Sequence, residues 1–186
     1  MLEPLRQYAA VRITADEAAE AAGRHARYFQ EFAEGAAPDL HGPRQLEWLA
    51  RLETEHDNLR VALAWGLEAG DADLGLRTVT ALAWFWLVRR HMAEAMAWFD
   101  RVLAARGGSS SARASALVQS GFTGSVERHD DLEGCLAQIL EGLAQFVDLG
   151  DEQGVKTAQT YEAVILWFQR DLEASNLKLV EIQAAH

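Results

Sequence analysis

Apolar residues along this chain recur at steps of three and four, the rhythm of one face of an α-helix. The clearest stretch is WLARLETEHDNLRVALAW, Trp48 to Trp65, where Leu49, Leu52, His56, Leu59 and Leu63 share one helical stripe. No run alternates apolar and polar residues long enough to make a strand, and all three prolines fall within the first 43 residues. The breaks between periodic segments carry helix-start and helix-stop chemistry. TADE at 14–17 forms a capping box, with Thr14 capping the first turn and Glu17 reaching back. HGPRQ sets Pro43 at a first helical position, where its missing N–H costs nothing. AGDAD at 69–73 and LGDEQG at 149–154 each end one helix on glycine and open the next with an aspartate cap. RGGSSS at 106–111 reads as the most flexible link, handing over to a helix that starts near Ser110 or Ser111. These signals predict nine helices, near 2–12, 15–35, 43–69, 72–89, 91–106, 111–126, 130–149, 152–168 and 171–184.

Short connections make consecutive helices antiparallel neighbours. A degenerate repeat supports pairing. HMAEAMAWF from 91, DDLEGCLAQ from 130 and RDLEASNLK from 170 align as starts of the second helix in a pair, spacing Glu94, Glu133 and Glu173 by 39 and 40 residues. Each follows a helix with an apolar face: ALAWFWLV, ASALVQSGF and YEAVILWF. Two helices in about 40 residues is a solenoid pattern, looser than the tetratricopeptide unit of about 34. One such unit cannot bury its apolar face alone, so units stack. The predicted fold is all-α: a right-handed superhelix of stacked helical hairpins, tetratricopeptide-like, with leading helices over 1–42 and the repeat domain over 43–186.

Composition narrows the function classes. A formal net charge of -11 repels phosphate, so direct nucleic-acid binding and anionic membrane surfaces are disfavoured. The single Cys135 cannot form an internal disulfide, which suits a reducing compartment. No signal-peptide pattern opens the chain, and the longest apolar run, ALAWFWLV at 81–88, falls far short of the roughly 20 residues of a membrane helix. The expectation is a cytoplasmic protein.

The segments MLEPLRQYAAVRI, RHARYFQEFAE and WLARLETEHDNLRVALAWGLEAGDADLGLRTVTALAWFW resemble one region of large bacterial transcriptional regulators. These are signal-transduction ATPases with a nucleotide-binding module, a winged helix and a helical-repeat sensor, often with a LuxR-type or antibiotic-regulatory DNA-binding domain. The resemblance runs to about residue 105, and LGDEQG is similar to a turn of the downstream repeats. It implies that 1–42 corresponds to the end of the winged-helix and linker region, and that the rest is the sensor. This chain has no G-x-x-x-x-G-K-[ST] phosphate loop, so no ATPase activity is carried over. A regulator fragment, or a stand-alone protein that kept only the sensor, is expected.

Candidate chemistry is sparse. Glu55, His56, Asp57 and Asn58 are read as a structural motif: His56 bonded to a neighbouring helix, with Asp57 or Asn58 capping or bending its own. Metal-binding helices place ligands three or four residues apart, and on the face of His56 only Glu53 meets that spacing, pointing partly elsewhere. Trp65, Trp84, Phe85, Trp86, Trp98 and Phe99 are first a core between three helices. The sharper reading is a ligand or partner groove drawn from Trp65, Trp84, Trp86 and Trp98 with Arg89 and Arg90. Arg101 is a solvated helix end, His129 to Asp131 a capped turn, and Cys135 a small buried residue. No nucleophile–base pair, metal or cofactor is expected. The reading is therefore non-catalytic: a sensing or interaction module for a protein partner or small-molecule effector. The alternatives are a scaffold that dimerises through Leu177, Leu179, Val180 and Ile182, and a small all-α enzyme.

Overall fold

The computed structural model describes residues 14–127 and 131–184; the helix predicted over 2–12, together with His129, Asp130 and His186, lies outside them. Among the described residues every regular element is helical. They are α1 (Ala15–Ala36), a short 3₁₀ turn (Ala37–His41), α2 (Gln45–Thr54), α3 (His56–Glu68), α4 (Ala72–Arg89), α5 (Met92–Ala104), α6 (Ser110–Glu127), α7 (Leu132–Leu149), α8 (Glu152–Phe168) and α9 (Leu172–Ala184).

Helix starts follow local side-chain chemistry. The Thr14 hydroxyl accepts from the Glu17 amide at 3.2 Å, and the Thr14 amide donates to the Glu17 carboxylate at 2.8 Å, closing the capping box. Asp71, Asp131, Asp151 and Asp171 each accept the backbone N–H three residues on, at 2.9–3.1 Å, and so open α4, α7, α8 and α9. Left-handed residues end the preceding helices: Gly70 and Gly150, then Arg90 (φ 64°) and Arg170 (φ 65°) at the corresponding turns 20 residues later. Glu94, Glu133 and Glu173 occupy the first turns of α5, α7 and α9.

Three local expectations are corrected. The helix predicted over 43–69 is two helices that meet at Glu55, because the Thr54 hydroxyl bonds back to the Ala50 carbonyl and the Asn58 amide donates to the Glu55 carboxylate at 2.7 Å. Pro43 sits in the turn before α2, not at its first position, and Pro38 helps start a 3₁₀ turn that periodicity does not show. The link at 106–111 is anchored: the Ser109 amide donates to Asp73 at 2.8 Å, and a Cβ on Gly108 would lie 2.5 Å from Leu76 Cδ1.

Packing follows the hairpin order, with α4 also lying on α6, α6 on α8, and α1 on α3 and α4. One buried cluster joins α1 to α5 through Phe29, Leu40, Leu52, Leu63, Phe85, Trp86 and Phe99. A second unites α6, α7 and α8 through Val118, Cys135, Ile139, Phe146 and Ile165. The stripe read between the two tryptophans is the buried face of α2 and α3: Leu49, Leu52, His56, Leu59 and Leu63 are all buried. No helix among the described residues is long and apolar enough to cross a membrane.

Candidate functional site

The row formed by α4, α6 and α8 leaves a cavity of about 660 Å³, closed at one end by the C-terminal turn of α1 and the 3₁₀ turn. Helical spacing puts Asp73, Arg77, Thr80 and Trp84 of α4 on one lining face, while Ser111, Ser115 and Gln119 of α6 come every four residues on another. Glu34, His41 and Tyr161 complete the wall. A smaller cavity of about 270 Å³ continues it toward the α7–α8 turn, sharing Thr80, Ser115 and Gln119.

Charges in this trough neutralise one another. Arg77 grips Glu34 through both ends of its guanidinium, at 2.7 and 2.8 Å, and approaches Asp73 at 4.0 Å. That hydrogen bonding raises the Arg77 pKa further above its ordinary value, against the cost of burial. The Ser109 amide holds the Asp73 carboxyl below the usual carboxylate range. Neutral groups differ. The His41 ring lies 4.4 Å from that of Trp84, and the Trp84 indole N–H is buried without a hydrogen-bond partner. Tyr161 stacks on Phe122 at 4.0 Å, and burial pushes its hydroxyl above the usual phenol value. Such a site offers a flat aromatic surface and a row of hydroxyl and amide groups, while the Trp84 indole N–H itself stays covered by protein.

Of the residues read as a groove from sequence, Trp84 lines this cavity and the others do not. Trp86 is fully buried in the core, edge-on to Phe99 at 6.2 Å. Trp98 is covered by the Arg101 guanidinium, 4.4 Å from the ring centroid. Trp65 packs on α1, where a Cβ at Gly23 would lie 3.0 Å from its ring. Arg89 reaches Glu53 at 3.5 Å, and Arg90 serves as the left-handed end of α4. Glu34, Arg77, Ser115 and Gln119 were missed. Ser115 and Gln119 share a four-residue spacing with Ser111 that the sequence shows, whereas nothing local in the sequence points to Glu34 or Arg77.

The Glu55–Asn58 motif sits elsewhere, at the α2–α3 break. Glu55 and Asn58 bond each other, and Asp57 is exposed and accepts from Arg60 at 2.9 Å. His56 is buried, with Nε2 3.2 Å from Glu94 Oε1 of α5 but off the line a hydrogen bond needs. Two bonds from Arg60, at 2.8 and 2.5 Å, anchor Glu94. Burial alone would raise the Glu94 pKa, but the Arg60 bond and the nearby positive charge outweigh it and leave it lowered.

Over 103 residues the chain is 33% identical to proteins of Mycobacterium bovis and Mycobacterium tuberculosis whose name, HTH-type transcriptional regulator, is itself an inferred one. The match takes in 55% of this chain and 12% of each relative's length. No family model matches the chain, and no solved structure matches it significantly. This partial similarity sets a transcription-regulator context, with which the all-helical architecture is compatible.

Proposed function

We propose that the chain is the non-catalytic sensing module of a bacterial transcriptional regulator, a tetratricopeptide-like stack of helical hairpins that receives a small-molecule effector. The observation that carries this reading is the trough along α4, α6 and α8, with the Trp84 ring and the Ser111, Ser115 and Gln119 row in its wall. The regulator context of the partial relatives and the 20-residue helix-and-turn units support it. Because Arg77, Glu34 and Asp73 already satisfy one another, the effector is an uncharged molecule with a flat face for Trp84 and hydrogen-bonding groups for Ser111, Ser115 and Gln119. Such a ligand bridges α4, α6 and α8, and so acts by preferring one packing of those helices over another.

A thermal-shift screen of neutral aromatic metabolites tests the reading. At a hundred times its Kd, a ligand adds about 2.7 kcal/mol, which raises the melting temperature of a chain this size by roughly 5–10 °C. Ser115→Trp fills the trough and should abolish the shift. A shift that survives Ser115→Trp overturns the assignment. A second reading rests on α9, whose Leu177 and Val180 are 62% and 60% exposed, and makes the chain a dimerising scaffold. No ligand shift, combined with a mass that doubles with concentration in light scattering, would favour that alternative.

A further inference from the structure

The α2–α3 break and the α4–α5 turn bring three ligating side chains together at a place that the trough does not reach. Glu53 comes from the last turn of α2, His56 from the first residue of α3, and His91 from the cap position of α5. One ligand atom from each lies within 4.8 Å of the others. The His56 and His91 rings are 4.7 Å apart, and His91 Nε2 is 3.4 Å from the Glu53 carboxylate.

We infer that Glu53, His56 and His91 form a binding site for a divalent transition-metal ion of the zinc type. Two imidazoles and one carboxylate, with a fourth position open, match the donor set that such ions take. Tetrahedral zinc with bonds of 2.0–2.1 Å spaces its ligands by roughly 3.3 Å, so the widest pairs close by up to about 1.5 Å on binding, while His91 and Glu53 already stand 3.4 Å apart. The side chains have room to do this: Glu53 and His91 are 44% and 30% exposed, and the His91 side chain caps no backbone N–H.

Independent support comes from His56. It is only 7% exposed, yet its Nε2 has no hydrogen-bond partner. A buried polar atom left unpaired is costly, and a metal ion would satisfy it. The Phe85 ring stands edge-on to His56 at 5.2 Å and fixes the imidazole plane. Glu94 and Arg89 complete the surroundings. Glu94 lies 3.2 Å from His56 and is held by Arg60, while Arg89 contacts the second Glu53 oxygen at 3.5 Å. In this arrangement Glu53 ligates through one oxygen and keeps Arg89 on the other, an outer partner of the kind that orients metal-bound carboxylates. The net charge of -11 raises the cation concentration near the surface but supplies no site geometry.

The test is titration of the metal-stripped full chain with Zn²⁺, followed by calorimetry, and with Co²⁺, followed by its visible absorption. One equivalent of Zn²⁺ should bind with a Kd of about 1 µM or tighter, corresponding to roughly 8 kcal/mol. Co²⁺ should show the intense bands of a four-coordinate ion. Glu53→Gln and His91→Gln change an exposed and a half-buried position and should keep the helical circular dichroism. Each should weaken Zn²⁺ binding at least about a hundredfold, the upper end of what losing even an outer partner costs. His41→Gln, in the trough, should change nothing. Absence of stoichiometric binding overturns the inference and leaves His56 as part of a polar joint between helices. Binding that survives both Glu53→Gln and His91→Gln also overturns it, since the ion would then sit on other surface carboxylates.

Discussion

Gly121 makes the tightest approach to another helix's backbone in the second half of the chain, and its replacement by alanine has a sign that can be worked out. A Cβ there would lie 2.5 Å from the Cys135 carbonyl oxygen and 2.8 Å from Ile139 Cγ1, both on α7. The first of these is backbone, so α7 itself must move rather than a flexible side chain. Overpacking of this kind costs about 1–3 kcal/mol, while alanine recovers about 0.5–1 kcal/mol of helix propensity. Because the clash is with backbone, the overpacking falls in the upper half of that range and the net loss is about 1–2.5 kcal/mol, which for a domain this size lowers the melting temperature by roughly 2–10 °C. Gly35 is the internal control, because it is also helical and a Cβ there meets nothing within 4 Å. Gly35→Ala should therefore stabilise, by about 0.5 kcal/mol. Urea and thermal melts followed by far-ultraviolet circular dichroism measure both variants. If Gly121→Ala is as stable as the parent, or both variants shift in the same direction, the close α6–α7 contact is refuted.

The left-handed end of α4 supplies another prediction. Arg90 has φ 64° and is exposed, so Arg90→Gly should stabilise by up to about 1 kcal/mol in a urea melt. A loss instead would mean that the arginine side chain contributes more than its backbone strain costs. Asp73 predicts an acid response. Its folded pKa is depressed by the Ser109 amide, so its stabilisation is complete above the ordinary carboxylate value of about 3.9 and is lost as pH falls through the folded value. Asp73→Asn should flatten that acid limb in urea midpoints measured from pH 5 downward, and an unchanged limb would count against the Asp73–Ser109 contact.

What could be read from the sequence is what lies within one helical turn. Thr14 with Glu17, and the capping aspartates with the amides three residues on, are contacts the chain makes with itself at short range, so their residues announce them. The break at Glu55 is also local, yet it left the apolar stripe in step: Leu52, His56 and Leu59 remain on the buried side across it, and periodicity saw one helix. Long-range pairs leave no local trace. Arg77 finds Glu34 across 43 residues, and His91 finds Glu53 across 38. Aromatic density drew attention to residues 84–99, but density does not separate Trp84, which lines the trough, from Trp86 two residues on, which points into the core. The three-dimensional arrangement decides that.

The groups that folding leaves at the two sites suit different ligand chemistries. Four buried side-chain atoms lack a hydrogen-bond partner among the described residues: His56 Nε2, Trp84 Nε1, Trp86 Nε1 and Glu162 Oε2. Glu162 still has the Lys178 ammonium at 3.5 Å, and Trp86 is sealed in the core, so neither calls for a ligand. The Trp84 N–H is covered by protein, so the trough presents the Trp84 ring and the hydroxyl and amide row of α6, which suit a flat neutral molecule. His56 stands beside a second imidazole and a carboxylate, a set that favours a cation over another donor. Adjacent α4 residues touch both places, Trp84 in the trough and Phe85 against His56. The chemistry demanded at each end is nevertheless different, so a single ligand cannot satisfy both. Binding at either site should survive variants that abolish binding at the other, and any coupling between them would have to pass through α4.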